Sequence, residues 1–357
     1  MEQWDAIVIG AGAAGLSAAQ MLGRSRRRTL VVDAGAPRNR FAEHMHGVLG
    51  QDGTPPTELL ARGRAELDVY GVVVRGASVV SVVEDSTRVS VWLDDGSEHA
   101  GRALVVATGV RDELPDLPGL AERWGRSVLH CPFCHGWEVR DQRLGVLLLS
   151  PLQLHQAQLV RQLSDDVTVF AGALGALDPA VEQRWRARGM VVESEPVVEL
   201  LGDAPDLTGV RLRDGRTVGV DAIFTVAAPR PLDVFLVSLG LDRAETPHGS
   251  FLAVDAAGRT SSRRIWAAGN VVNPMANVPQ SMGAGAMAGA AAHGALVEED
   301  FALAVAGSIS GWASTAEGWS VARDATWRTR SALPISSPPC VEGTALGSAR
   351  HSLPRRP

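Results

Sequence analysis

A short apolar segment near the N-terminus runs directly into a glycine-rich turn, and this combination restricts the fold more than any other feature. Asp5–Gly10 has the character of a buried strand, and Leu16–Arg24, after the turn, has the composition of a helix. The three glycines of the GxGxxG pattern permit a tight turn, close approach of backbone to a pyrophosphate, and close helix–strand packing. The pattern predicts a Rossmann-like unit whose ligand contacts Gly10, Gly12, Ala13, Ala14 and Gly15.

An acidic residue at the end of the next strand narrows the class of ligand. Thr29–Val32 has the pattern of a second strand, and Asp33 follows it, 18 residues after Gly15. At this spacing a carboxylate accepts hydrogen bonds from an adenosine ribose, which favours FAD or NAD over a 2′-phosphorylated dinucleotide. A glycine-rich turn without a ligand is the alternative, and the strand–turn–helix context argues against it.

Composition excludes several classes of protein. A chain of 357 residues with 45% hydrophobic and 21% charged residues can form two folded domains. The net charge of −6 argues against a nucleic-acid-binding protein, and a Schiff-base mechanism is excluded because all 34 basic residues are arginine. No apolar run reaches the roughly 18 residues of a membrane span. No secretory signal is recognisable either, so a cytoplasmic protein is expected.

Two later segments favour FAD. Ala103–Val110 has the pattern of a buried strand, Ile265–Asn270 that of another, and a helix of small residues is expected from about Ser281. This set resembles the flavoproteins with two dinucleotide-binding domains, in which these stretches bind FAD. That family has Asp where this chain has Asn270, whose amide can still bind a ribityl hydroxyl. Beyond the N-terminal turn, the resemblance implies FAD contacts from Asp33, Ala34, Arg40, His46, Thr108, Gly109, Gly269, Asn270 and Val278.

A pair of cysteines in the middle of the chain indicates redox chemistry. Cys131 and Cys134 form a CxxC unit, which is typical of a redox pair or of half a zinc site. A structural zinc site needs about four ligands, and no second pair exists, since Cys340 lies in unrelated sequence. Two inert buried cysteines are the other alternative. His135 and His130 flank the pair and are expected to move protons during thiol–disulfide exchange.

The flavin segments and the CxxC together resemble low-molecular-weight thioredoxin reductases over about residues 5–306. The resemblance implies a homodimer, with Cys134 stacked near the flavin and Cys131 exchanging with substrate. Those reductases have Asp after the second cysteine, where this chain has His135. The sequence Cys-Pro-Phe-Cys-His-Gly-Trp-Glu is more similar to the flavin-dependent dithiol oxidases, which close disulfides in natural products such as gliotoxin and holomycin. That similarity implies a role in antibiotic biosynthesis.

The region that should bind a second nucleotide lacks the required residues. Arg143–Leu147 has the pattern of its first strand, but Leu148–Gln153 contains no glycine, and Pro151 removes an amide donor. The next strand, Val167–Phe170, is followed by Ala171–Leu174 without a cation to bind a 2′-phosphate. The sequence therefore predicts a Rossmann-like scaffold that has lost NADPH binding.

The leading functional hypothesis is an FAD-dependent dithiol oxidase. A small-molecule dithiol would exchange with Cys131–Cys134, and electrons would pass via FAD to O2, giving H2O2. One alternative is a disulfide reductase supplied by NADPH or by a protein electron donor. Another is a redox-sensing flavoprotein with little turnover. No metal, nucleic acid or membrane partner is expected.

The predicted fold class is α/β with two Rossmann-like domains, one inserted in the other. An antiparallel accessory sheet is expected from the strands within 71–92, and a hairpin within 211–218. The predicted parts are an FAD-binding domain of residues 1–115 plus 242–306, an inserted domain of 116–241 carrying the CxxC, and an irregular or disordered tail of 307–357.

Overall fold

The computed structural model describes residues 2–311 and has the α/β architecture predicted from the sequence. Of the predicted irregular tail, residues 307–357, the first five are helical and the residues from 312 onward lie outside the described residues. The N-terminal part consists of β1 (Glu2–Ile9), α1 (Ala13–Arg24), β2 (Thr29–Asp33), α2 (Pro56–Val69), β3 (Val73–Gly76), β4 (Val79–Glu84), β5 (Val89–Leu93), β6 (Glu98–Val106) and β7 (Val110–Glu113).

The first sheet follows the order β3-β2-β1-β6-β5-β4. Strands β1, β2, β3 and β6 are parallel, whereas β4 and β5 form an antiparallel pair that joins the edge of β6. The expected antiparallel pairing is confirmed for β4 and β5, but the expected smaller sheet is wrong, because these strands extend the first sheet through β6. Strand β6 is nine residues long, so its first half can pair with β5 while it pairs with β1 along most of its length.

The middle part contains a second parallel sheet. It consists of β8 (Val128–Leu129), α3 (Pro132–His135), β9 (Leu144–Leu147), α4 (Leu154–Val160), β10 (Val167–Phe170), α5 (Pro179–Ala187), β11 (Val191–Glu193), β12 (Val197–Leu201), β13 (Gly209–Leu212), β14 (Thr217–Val218) and β15 (Ala222–Phe224). The sheet order is β11-β10-β9-β15-β8, and all its pairings are parallel. The predicted hairpin is confirmed as β13–β14, extended by β12.

The C-terminal part returns to the first sheet. It consists of β16 (Ala228–Pro231), β17 (Arg243–Thr246), β18 (Gly249–Leu252), β19 (Ile265–Ala267) and α6 (Val278–Gly311). Strand β19 adds to β6 in parallel, and β16 pairs with β7 to form a two-stranded link. The chain thus leaves the first sheet after β6, runs out through β7 and back through β16, and rejoins the first sheet at β19. The domain limits proposed from the sequence stay a prediction.

Helix α6 lies directly against α1, and its glycines make this approach possible. A Cβ on Gly285 would lie 2.0 Å from the Ala14 carbonyl oxygen, and one on Gly289 would lie 2.4 Å from the Ala18 carbonyl oxygen. Both glycines therefore serve helix–helix packing, which offsets their low helix propensity. No helix among residues 2–311 combines the length and apolarity needed to cross a membrane.

Alternating residues of β1 supply the two hydrophobic cores of the first sheet. Ala6 and Val8 face the core beneath α1 and α6, whereas Ile7 and Ile9 face the core on the other side. Burial on both faces is typical of parallel strands and leaves ligands the crevice beyond the carboxyl ends of the strands. That crevice is where the candidate site lies.

Candidate active site

One large cavity joins the predicted dinucleotide turn to the predicted dithiol. Its volume is about 2020 Å³, well above the ~300–1,000 Å³ usual for a pocket that holds one small molecule. It therefore has room for a dinucleotide and a substrate together. The predicted site residues that line it are Gly10, Gly12, Ala13, Ala14, Asp33, Ala34, Thr108, Gly109, His130, Cys131, Cys134, His135, Gly269, Asn270 and Val278.

The glycine turn forms an open cradle at the start of α1. Gly10 has a φ of +99°, which favours glycine, and a Cβ on Gly15 would lie 1.8 Å from the Gly10 carbonyl oxygen. A Cβ on Gly12 would meet nothing within 4 Å, and no side chain caps the helix that begins after it. The uncapped N–H groups and the helix dipole therefore suit a pyrophosphate.

Asp33 is held at the edge of the same cavity. Its Oδ1 accepts a hydrogen bond of 2.9 Å from the Ala11 N–H, and its Oδ2 pairs with Arg64 at 2.7 Å. Each carboxylate oxygen has a second lone pair for a ribose hydroxyl. The sequence did not indicate Arg64, which comes from α2.

Asn270 replaces the family's Asp for a reason that the structure makes plain. Its Nδ2 donates to the carbonyl oxygens of Asn273 (2.9 Å), Pro274 (3.3 Å) and Ala276 (2.9 Å). An ionised Asp has no proton to donate to these oxygens. The amide therefore organises the turn before α6, while its Oδ1 remains available at the cavity.

Thr108 supplies an unsatisfied polar group at the cavity wall. Its Oγ1 is buried and has no hydrogen-bond partner among the described residues. Because buried polar groups normally have a partner, this hydroxyl fits contact with a bound cofactor. Together with the open cradle at Gly12 and the placement of Asp33, it supports the fit of FAD.

The dithiol lies at the N-terminus of α3, a single helical turn. Cys131 is the N-cap residue, and the Cys134 N–H donates to the Cys131 carbonyl at 3.1 Å. Both thiols are free. A hydrogen bond from the Cys134 thiol, helped by the N–H groups of Cys134 and Phe133, lowers the pKa of Cys131 to about 7. The same hydrogen bond, together with burial, raises the pKa of Cys134.

Two histidines flank the thiols as neutral imidazoles. Burial lowers the pKa of His130 to about 4, with a further contribution from the Arg38 charge. Burial also lowers the pKa of His135. His130 Nδ1 and His135 Nε2 are both buried without a partner among the described residues. Both nitrogens are therefore open to a substrate or to a proton in transit.

Three of the predicted cofactor contacts lie away from the cavity wall. Gly15 packs behind the turn, and Arg40 stacks on the Phe41 ring with 4.2 Å to its centroid. His46 lies between two carboxylates, with Nδ1 3.2 Å from Asp52 and Nε2 3.3 Å from Glu138. Roles for Arg40 and His46 at the cofactor stay predictions.

Arg38 and His248 also line the cavity, and neither belongs to a sequence motif. The Arg38 guanidinium forms a bidentate pair with Asp112 at 2.9 and 2.7 Å and donates to the Pro274 carbonyl at 2.7 Å. His248 lies between β17 and β18, and it is close enough to His130 to contribute to lowering the pKa of His130. No local motif could have indicated either residue, because both reach the dithiol from distant parts of the chain.

A glutamine side chain occupies the loop after β9. This is the loop in which the sequence predicts that NADPH binding has been lost. Gln153 Oε1 accepts from the N–H groups of Leu149 (2.6 Å) and Ser150 (3.0 Å), and its Nε2 donates to the Leu147 carbonyl at 2.9 Å. Gln153 is 2% exposed. In a nucleotide-binding loop such N–H groups face the phosphates, so this loop does not fit NADPH.

Comparison with known proteins identifies the family. Residues 4–289 match the pyridine nucleotide-disulphide oxidoreductase family. The chain belongs to this family. Its members of the thioredoxin reductase type bind FAD, which confirms the predicted cofactor. The chain is a thioredoxin reductase-like disulfide oxidoreductase, and the resemblance predicted from the sequence is confirmed.

Individual relatives cover most of the chain. It is 32% identical to the thioredoxin reductase tcpT of Claviceps purpurea, covering 80% of this chain and 92% of the relative. It is 33% identical to the thioredoxin reductase sirT of Leptosphaeria maculans with the same coverage. Among solved structures, HlmI is 44% identical with a TM-score of 0.82, covering 86% of this chain and 97% of HlmI.

Proposed function

We propose that this protein is an FAD-dependent dithiol oxidase that forms an intramolecular disulfide in a small-molecule dithiol and passes the electrons to O2. The observation that carries the proposal is the Gln153 side chain, which satisfies the loop N–H groups that a nicotinamide dinucleotide would need. If NADPH does not bind, it cannot donate electrons, and the reducing equivalents then come from the substrate dithiol through Cys131 and Cys134. The Cys-Pro-Phe-Cys-His sequence and the resemblance to the dithiol oxidases support the same direction.

The two thiols divide the exchange between them. A substrate thiolate attacks Cys131 Sγ in the Cys131–Cys134 disulfide, forming a mixed disulfide and releasing the Cys134 thiolate. The second substrate thiolate then attacks the substrate sulfur of that bond, so that the substrate disulfide forms and Cys131 leaves. Once the released Cys134 thiolate has taken up a proton, its thiol can donate to Cys131, and the resulting pKa of about 7 makes Cys131 a good leaving group.

The cofactor and the histidines complete the cycle. When bound beside Cys134, FAD would supply the two-electron acceptor needed to re-form the Cys131–Cys134 disulfide, and the electrons would pass from it to O2 to give H2O2. His135 accepts the protons that the substrate thiols release, because its imidazole has an unpartnered nitrogen at the cavity. His130 also has an unpartnered nitrogen, but with a pKa of about 4 it is a weak base and relays protons without retaining them.

A disulfide reductase is the second candidate, since the relatives tcpT and sirT are named thioredoxin reductases. It uses the same dithiol in the opposite direction and needs a donor at the flavin. The two candidates differ in whether a dithiol alone sustains turnover in air.

Oxygen uptake tests the proposal. The purified yellow protein with dithiothreitol in air is expected to consume O2 and form H2O2 at a rate that NADPH does not change. The Cys134→Ser variant is expected to retain FAD and lose this turnover. A protein that consumes no oxygen with dithiols, but oxidises NADPH when given a disulfide, would contradict the proposal.

A further inference from the structure

Two glutamine side chains connect the loop after β9 (residues 148–153) to the segment that carries the two cysteines (residues 130–135). Gln153 Nε2, besides its bond to the Leu147 carbonyl, lies 3.3 Å from Gln156 Oε1. Gln156 Nε2 in turn donates to the His130 carbonyl oxygen at 2.7 Å. A continuous hydrogen-bonded chain therefore runs from the end of β9 to the residue directly before Cys131.

Helix α3, which begins directly after Cys131 and contains Cys134, needs contacts with other parts of the chain to hold its position. Helix α3 spans four residues and is too short to be stable by itself. It lies close to the end of α4, since a Cβ on Gly136 would be 2.4 Å from Leu163 Cδ1. The chain after α3 is therefore packed closely against Leu163. At the other end of the helix, His130 directly precedes the N-cap residue Cys131.

We propose that Gln156 is a positioning residue for the dithiol. Its hydrogen bond to the His130 carbonyl fixes the peptide that leads into Cys131, and with it the Cys131 thiol at the N-terminus of α3. Gln153 supports this role, because its Nε2 holds Gln156 Oε1 and so directs Gln156 Nε2 at the carbonyl. Through these hydrogen bonds, Gln153 and Gln156 together help to fix the position of Cys131 relative to Cys134.

The surroundings of Cys131 explain why its position matters. The Cys134 thiol, and to a smaller extent the N–H groups of Cys134 and Phe133 at the start of α3, lower the pKa of Cys131, and each of these effects depends on where the sulfur lies. The titratable and charged groups around the pair are Cys134 and His135 on α3, His130 before it, and Arg38 from the loop after β2. A small displacement of Cys131 weakens the hydrogen bonds that stabilise its thiolate.

Alkylation of the reduced holoprotein tests the proposal. Iodoacetamide is added under anaerobic conditions, and modification of the Cys131 peptide is followed by mass spectrometry as a function of pH. In Gln156→Leu, which cannot donate, we expect alkylation at pH 7 to be about three- to tenfold slower, with the midpoint of the pH profile moved upward. The matched control is Gln158→Leu, an exposed residue on the same helix, which should leave the profile unchanged.

A second variant keeps the test decisive if Gln156→Leu does not fold with its FAD. Gln156→Glu retains the length and polarity of the side chain, but its carboxylate cannot donate, so the same slowing is expected. A folded variant of either kind whose pH profile matches that of the unmodified protein would overturn the proposal. Alkylation requires neither substrate nor oxygen, so its result is independent of whether the protein is an oxidase.

Discussion

The two cysteines differ in acidity although they are only three positions apart. The Cys134 thiol, and to a smaller extent the N–H groups of Cys134 and Phe133, lower the pKa of Cys131, so its thiolate is stabilised. Cys134 is the donor, and a neighbouring Cys131 thiolate disfavours a second negative charge, so its pKa is raised. This asymmetry suits Cys131 to exchange with substrate, as the family resemblance implied.

The acidity of Cys131 predicts a pH dependence. A pKa lowered to about 7 means that the thiolate predominates above about pH 7 and is lost as the pH falls below it. His130, with a pKa lowered to about 4, stays neutral over this range. The ultraviolet difference absorbance of the thiolate in the reduced protein, with Cys131→Ser as the blank, is expected to rise with a midpoint near pH 7. A midpoint near the pKa of an ordinary thiol, about 8.5, would contradict this assignment.

Residues with local signatures were predictable from the sequence, and residues without them were not. Gly10, Asp33 and Cys131 belong to patterns in which neighbours in sequence specify the chemistry. His248 reaches the cavity from a hairpin more than a hundred residues after the CxxC, and no local pattern encodes that approach.

At the scale of single elements, the N–H groups of the loop after β9 are satisfied by Gln153, while the parallel strands on either side of the loop are intact. The absence of glycine from Leu148–Gln153 is visible in the sequence and predicts that this loop does not bind NADPH. The sequence did not reveal that Gln153 satisfies the loop, because a glutamine after a turn has no distinctive pattern. The parallel strands around the loop are retained, and they keep the CxxC segment in place beside the first sheet.

Removing the Gln153 side chain is expected to destabilise the protein. Gln153→Ala leaves the N–H groups of the half-buried Leu149 and Ser150, and the carbonyl of the buried Leu147, without this partner. We expect a loss of about 2–4 kcal/mol in the free energy of unfolding, measured by urea denaturation. Gln158→Ala, at an exposed position, is the control and should change stability by less than ~0.5 kcal/mol. Equal stability of the two variants would show that the Gln153 contacts contribute little.

The contact between α1 and α6 shows what two of the α6 glycines do. Glycines in α6 were consistent with close approach of a cofactor or with tight packing in the fold. Gly285 and Gly289 serve packing, because each faces the backbone of α1. A Cβ on Gly283 would meet nothing within 4 Å, so the sequence alone could not have distinguished it from the other two.

At the scale of the whole molecule, the chain places two kinds of chemistry in one cavity. The crevice at the carboxyl ends of β1 and β6 supplies the dinucleotide cradle, and the segment between β8 and β9 supplies the dithiol. The fold class and the cofactor followed from motifs in the sequence. The single cavity could not be predicted, because it depends on how the two sheets are joined through β7 and β16.

The central claim is that electrons reach the flavin from a dithiol and not from a nicotinamide. Anaerobic titration of the oxidised holoprotein, followed by flavin absorbance, tests it most directly. We expect dithiothreitol to bleach the flavin in the unmodified protein but not in Cys134→Ser, and NADPH to leave the spectrum of both unchanged. Rapid bleaching by micromolar NADPH would contradict the claim.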